Sequence, residues 1–158
     1  MGEVNIRVAN FIKLFSMMMV IGSLLYMYAY ASDRFNFLNE SQDWISTVPK
    51  SSIFYAGLGI FAVFNITMHI GINMYKNVEG IDERSVFFKS KNHKERLLVW
   101  FTYMLAGVNV FITSVVLYLA MLKINEASFD ADYVYIPFFG MIILIAPFVG
   151  LIAALMRK

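Results

Sequence analysis

The sequence predicts an all-α integral membrane protein, a four-helix transmembrane bundle with both termini cytoplasmic. Three observations carry that expectation. The chain is 59% hydrophobic and 16% aromatic with a mean hydropathy of +0.65, too apolar for a surface facing water on every side. Four windows, about 8–31, 53–75, 97–122 and 134–156, each supply the roughly 20 helical residues that cross a hydrocarbon core of about 30 Å. Most of the 13 Lys and Arg residues lie at the chain ends and in the loop of about 76–96 between the second and third windows. With 158 residues, the chain makes one transmembrane domain, 1–158.

The first window contains one charge, Lys13, about a turn and a half inside its end, where the aliphatic stem reaches the headgroups. The other three windows contain none. Backbone groups in lipid must pair within their own segment, so helices are required, and the alternating runs of about ten residues that build a barrel are missing. Arg7 and Lys13 precede an apolar run ending in "AYAS", an A-x-A pattern that signal peptidases cut. The run from Leu14 to Ala31 is longer than a signal's apolar region, so this window is expected to remain as an anchor. Within it, Met17, Met18 and Met19 form a soft patch suited to filling space.

Next comes "SDRFNFLNESQDWISTVPK", where Phe35, Phe37, Leu38, Trp44 and Ile45 lie among polar residues and suggest a short interfacial cap. Pro49 marks the entry to the second span. The sequon Asn39-Glu40-Ser41 lies here too, a three-residue match that arises often by chance.

The second span holds "NITMHIGIN". A step of four residues drifts only about 40° around a helix, so Asn65, His69 and Asn73 form one stripe about 12 Å long, continued by Gly57 and Phe61. Polar groups aimed at lipid cost free energy, so the stripe should face the bundle, a partner or a wetted cavity. Asn109 in the third span, flanked by Thr102 and Thr113, offers the matching face. An Asn65–Asn109 or His69–Asn109 contact would satisfy both helices. The expected role is an interhelical seam worth about 0.6 to 2 kcal/mol per bond. The rival role makes His69 a proton carrier or ligand contact, since imidazole titrates near neutral pH. No carboxylate neighbours it along the helix to tune a proton transfer.

The middle loop ends in "KSKNHKER". Lys89, Lys91, Lys94 and Arg96 can hold anionic headgroups or an acidic partner, although setting the chain's orientation is explanation enough. In the third loop Glu126, Asp130 and Asp132 do not follow the EF-hand spacing and read as a solvated acidic loop. In the last span Ala146, Gly150 and Ala154 recur every four residues, a helix-packing face of small side chains, with Pro147 beside it to bend the helix.

Chemistry is limited by inventory. There is no Cys, which removes thiolate nucleophiles, iron–sulfur clusters and cysteine zinc sites. Haem with two histidines needs a second in the membrane, but His93 falls in the hydrophilic loop; pairing His69 with Met104 or Met121 is the paper alternative. No span carries an acid for a di-iron or zinc hydrolase site. Neither an enzyme, a metal nor a cofactor is expected, and a net charge of +2 gives no reason to expect nucleic acid.

The expected function is therefore a non-catalytic multi-pass subunit of the cell membrane, plasma or bacterial inner. Its partners are the lipid bilayer and other membrane proteins or copies of itself. The alternative is a small transporter, channel or binder of a small molecule such as a quinone, using Asn65, His69 and Asn73.

Orientation is testable directly. Arg7, Lys13, Lys76, Arg84, Lys89, Lys91, Lys94, Arg96, Arg157 and Lys158 lie on one side, against Arg34, Lys50 and Lys123 on the other. That bias predicts that reporter fusions after Lys91 and Lys158 both read as cytoplasmic. An external signal from either would overturn it.

Overall fold

A computed structural model describes residues 2–31, 33–38, 44–80, 87, 90–124 and 133–156. The order is α1 (Gly2–Tyr30), β1 (Arg34–Leu38), β2 (Trp44–Pro49), α2 (Lys50–Asn77), α3 (Lys91–Ile124) and α4 (Tyr135–Met156). All four helices are long and apolar enough to cross a membrane. The sequon, Lys89, and the acids Glu126, Asp130 and Asp132 lie outside the described residues, as do the side chains of Phe37, Leu38, Trp44 and Ile45.

The helices pass up, down, up and down. The end of the bundle bearing Gly2 also receives the last turn of α2, the first turn of α3 and the last turn of α4; the β-strands occupy the opposite end. α3 is the central element and packs against each of the other three.

The four helices agree with the all-α expectation, to which β1 and β2 add a small two-stranded sheet. β1 and β2 pair as a two-stranded antiparallel hairpin in which Arg34 pairs with Pro49 and Phe35 with Val48, with a register shift between Phe37 and Leu38. β-branched Ile45, Thr47 and Val48 favour a strand, and Phe35 and Phe37 recur at the strand period of two in its partner. Phe35 is buried and joins Val20, Leu24 and Met27 of α1, Phe61 of α2 and Val116 of α3 in the main apolar cluster. The core therefore lies in the hairpin half of the bundle.

Lys50 fastens the start of α2 to the end of α1. Its backbone N–H donates to the Asp33 carbonyl at 3.0 Å, its ammonium pairs with the Asp33 carboxylate at 3.0 Å, and it lies 5.3 Å from the centre of the Tyr28 ring. Pro49 is the N-cap of α2, as its fixed φ and missing N–H allow. At the other end the middle loop is shorter than expected, because α2 runs to Asn77 and α3 begins at Lys91. Ser90 caps α3 by accepting from the His93 N–H at 3.2 Å. The Lys94 ammonium donates to the Lys76 carbonyl at 2.8 Å and also to that of Val78, closing the last turn of α2.

The α3–α4 contact corrects the expected small-residue face. Gly140, Pro147 and Ala154 are buried along α4 at steps of seven. That period drifts about 20° per step, half the drift of a step of four, so it keeps one seam against a neighbour over several turns. Ala154 lies on that seam, Gly150 sits at its edge against the Trp100 indole, and Ala146 has rotated out to the exposed side. Two of the three expected residues are thus occupied within this chain rather than left for a second one.

Close approach at Gly140 is testable. A Cβ built there would lie 2.0 Å from Ser114 Oγ, 2.7 Å from Ser114 Cβ and 3.4 Å from Phe111 Cα. Gly140→Ala should destabilise by about 1–3 kcal/mol through overpacking, read as a lower Tm in detergent. Adding Ser114→Gly should restore most of the loss, and an unchanged Tm in the single variant would show that α4 does not seat there.

Candidate functional site

The polar residues of the bundle resolve into two adjoining places with opposite character. The first is a closed knot between α1, α2 and α3. Asn65 Nδ2 donates to Asn109 Oδ1 at 2.8 Å, and Asn109 Nδ2 returns a bond to Asn65 Oδ1 at 3.1 Å. The second proton on Asn65 Nδ2 goes to the Phe61 carbonyl at 2.9 Å, and the second on Asn109 Nδ2 goes to Ser16 Oγ at 3.3 Å. Ser16 in turn donates to the Lys13 carbonyl at 2.7 Å. All four amide protons are therefore committed. Asn109 is fully buried, with Ser16 and Asn65 nearly so. Thr113 donates to the Asn109 carbonyl at 3.0 Å and Thr102 to that of Leu98 at 2.8 Å, so the two threonines serve their own helix.

The expected Asn65–Asn109 pairing is present, and His69 takes no part in it. His69 and Asn73 are exposed and line a second place, a cleft of about 180 Å³ between the terminal halves of α1, α2 and α3. Asn10, Lys13 and Lys76 line it with them, against apolar walls that include Ile6, Ile72 and Leu98. The stripe has therefore split. Two steps of four turn the side chains by about 80°, so a helix that aims Asn65 at α3 aims Asn73 toward α1.

Sequence reasoning missed Ser16, whose hydroxyl on a helix is usually satisfied by its own backbone and gives no outward signal. It also missed the alignment of Asn10, Lys13 and Lys76 with His69. Helical spacing places Asn10 and Lys13 on one face of α1, but which face of α2 they meet is a tertiary fact.

The basic cluster of the middle loop is divided. Lys91 and Arg96 are exposed, whereas Lys94 turns back to cap α2. His93 is buried in the first turn of α3 rather than lying in a solvated loop. Among the described residues no three His, Asp or Glu side chains stand close enough to hold a metal. A further groove of about 320 Å³, on the other side of α2, is lined by apolar groups including Met68, Gly71, Phe101 and Met104.

No family model matches the chain, and no curated protein or solved structure matches it either.

The knot and the cleft respond differently to mutation. Asn65→Ala or Asn109→Ala leaves a buried amide unsatisfied and should cost about 1–3 kcal/mol. The double variant should cost less than the sum, with a coupling on the order of 0.6–1.7 kcal/mol. His69→Gln and His69→Leu should both leave the Tm in detergent unchanged. A destabilised His69→Leu would return the imidazole to the seam.

Proposed function

We propose that the protein is a non-catalytic multi-pass membrane protein, a small subunit that packs against partner membrane proteins and stabilises a larger complex. The observation that carries this reading is the closure of the knot. At the level of Asn65 and Asn109 the amide donors are consumed within the three helices, so a solute would find no free amide N–H there to replace its water. A polar path from the cleft stops at this level, which weighs against a channel or transporter.

The seating of α2 supports a partner. Of its 28 residues only Phe61 and Asn65 are buried. Helices in lipid are held by close packing and interhelical hydrogen bonds rather than by a hydrophobic drive. A helix so lightly packed on its own bundle leaves most of its surface for another protein. Val63, Ile66 and Ile70 cover that open side. The membrane is the cell membrane in this reading, with the chain ends and middle loop cytoplasmic.

A second reading, a small-molecule binder, is favoured by one observation: the cleft reaches His69. It separates from the first by the phenotype of His69→Gln, which keeps hydrogen bonding but does not titrate near neutral pH. A stable variant with unchanged growth or transport speaks for the subunit, and a stable but inactive one for the binder.

Photo-crosslinking residues placed at Val63 and Ile66 in native membranes should yield a discrete adduct with another protein, identified by mass spectrometry. The same probes at Met141 or Ile145 on α4 provide the comparison, since those positions are exposed too. Adducts with lipid alone at every position would overturn the proposal.

A further inference from the structure

We infer that the cleft between α1, α2 and α3 binds the headgroup of an anionic phospholipid. The inference goes beyond association through α2 and concerns the side of that helix turned toward α1 and α3.

The charge of the cleft has one sign. Lys13 and Lys76 line it with His69, Asn10 and Asn73, and among the described residues no carboxylate does. Glu79 and Glu95 belong to the same end of the molecule but do not border the space. These side chains also stand without partners of their own. Among the described residues, neither ammonium forms an ion pair or hydrogen bond, and the His69 ring and the Asn73 amide bond to nothing. The contrast with the knot is chemical. Every buried polar side-chain atom described there and elsewhere has a partner, while the cleft presents a set of donors with none.

Depth and walls select the ligand. Lys76 lies in the last turn of α2, and His69 lies seven residues farther in, about 10 Å along the axis. Lys13 is at a similar depth on α1, above the apolar side chain of Ile6. Snorkelling explains one lysine stem bent toward water, but not donors from two helices converging on one space. A phosphodiester held between the ammonium groups would meet Asn73 and His69 as further donors, and its glycerol and upper acyl carbons would meet Ile72 and Leu98. A free phosphate would gain nothing from those apolar walls. The charge bias that orients the chain puts the cleft at the cytoplasmic leaflet, where anionic lipid resides and where basic pockets between helices take such headgroups.

The test uses the full chain in phosphatidylcholine nanodiscs with and without phosphatidylglycerol, read by thermal stability and by native mass spectrometry of lipids retained. The wild type should retain phosphatidylglycerol in preference and gain stability from it. Lys13→Gln and Lys76→Gln should each weaken the preference about fivefold, the equivalent of about 1 kcal/mol per basic residue, and Lys13→Arg should preserve it. Asn73→Trp, which fills the mouth without changing charge, should abolish retention while leaving the stability in pure phosphatidylcholine intact. Lys91→Gln, at the same end but outside the cleft, should have no effect. An equal loss in Lys91→Gln would show a diffuse surface field and overturn the site. Stabilisation by inorganic phosphate in phosphatidylcholine nanodiscs matching that by phosphatidylglycerol would overturn the lipid assignment in favour of a soluble anion. Equal retention of both lipids would overturn the inference entirely.

Discussion

The bundle depends on one constraint: amides placed among apolar helices have no water to turn to. Asn65 and Asn109 meet that constraint only if α2 and α3 stand in a single register, and Ser16 extends the requirement to α1. Apolar packing tolerates sliding and rotation, because one methyl contact replaces another at little cost. A reciprocal amide pair does not, since a shift of a turn leaves several donors and acceptors bare at about 1–3 kcal/mol each. The knot therefore acts chiefly as a specifier of alignment. Its net contribution to stability is smaller, about that of a few interhelical hydrogen bonds.

Fixing that level divides the molecule. On the hairpin side the three helices converge on Val20, Leu24, Met27 and Val116, and the hairpin closes the cluster with Phe35. Lys50 ties α1 to α2 beyond it. Toward the chain ends the same helices enclose the cleft, because Asn10, Lys13, His69 and Asn73 are poor material for a dry interface. Lys94 then secures α2 to α3 at the far end by capping its carbonyls. α2 is thus held at three points along its length, which permits an open space between two of them without loss of the helix's position. α4 joins separately, along a seam that Gly140 and Pro147 of α4 make with Gly107 and Ser114 of α3.

Much of this was legible from residues alone. Four helices follow from runs of apolar residues longer than any competing element accommodates, and the Asn65–Asn109 pair follows from the scarcity of partners for an amide at that depth. What failed was finer. The hairpin was hidden because aromatic and polar residues alternate in an interfacial segment as they do in a strand, and its length lies below that of a barrel strand. His69 was misplaced because a step of four drifts by 40°, an error that accumulates with distance from the residue that anchors the face. The same drift explains Ala146, which a row of four assigns to the packed side and a seam of seven turns outward. Lys94 and His93 read as loop residues because a run of charges resembles a solvated segment, although α3 simply begins earlier and uses them in its first turn.

The splitting of the Asn65–His69–Asn73 stripe also bears on how function can be distributed on so small a scaffold. A polar residue within an apolar helix is commonly read as either structural or functional, yet neighbouring positions here differ by one turn and meet different fates. Asn65 has every donor satisfied within the chain, so replacing it acts first on folding. His69 and Asn73 are unsatisfied by the chain, so replacing them acts first on whatever enters the cleft. The physical distinction is the partner inventory rather than residue type or depth. Because α2 carries both roles on adjacent turns, an occupant of the cleft would press on the side of the helix that the knot aligns. Occupancy and helix register would then share one rigid element, and the packing of the open side of α2 against a partner would be set by both.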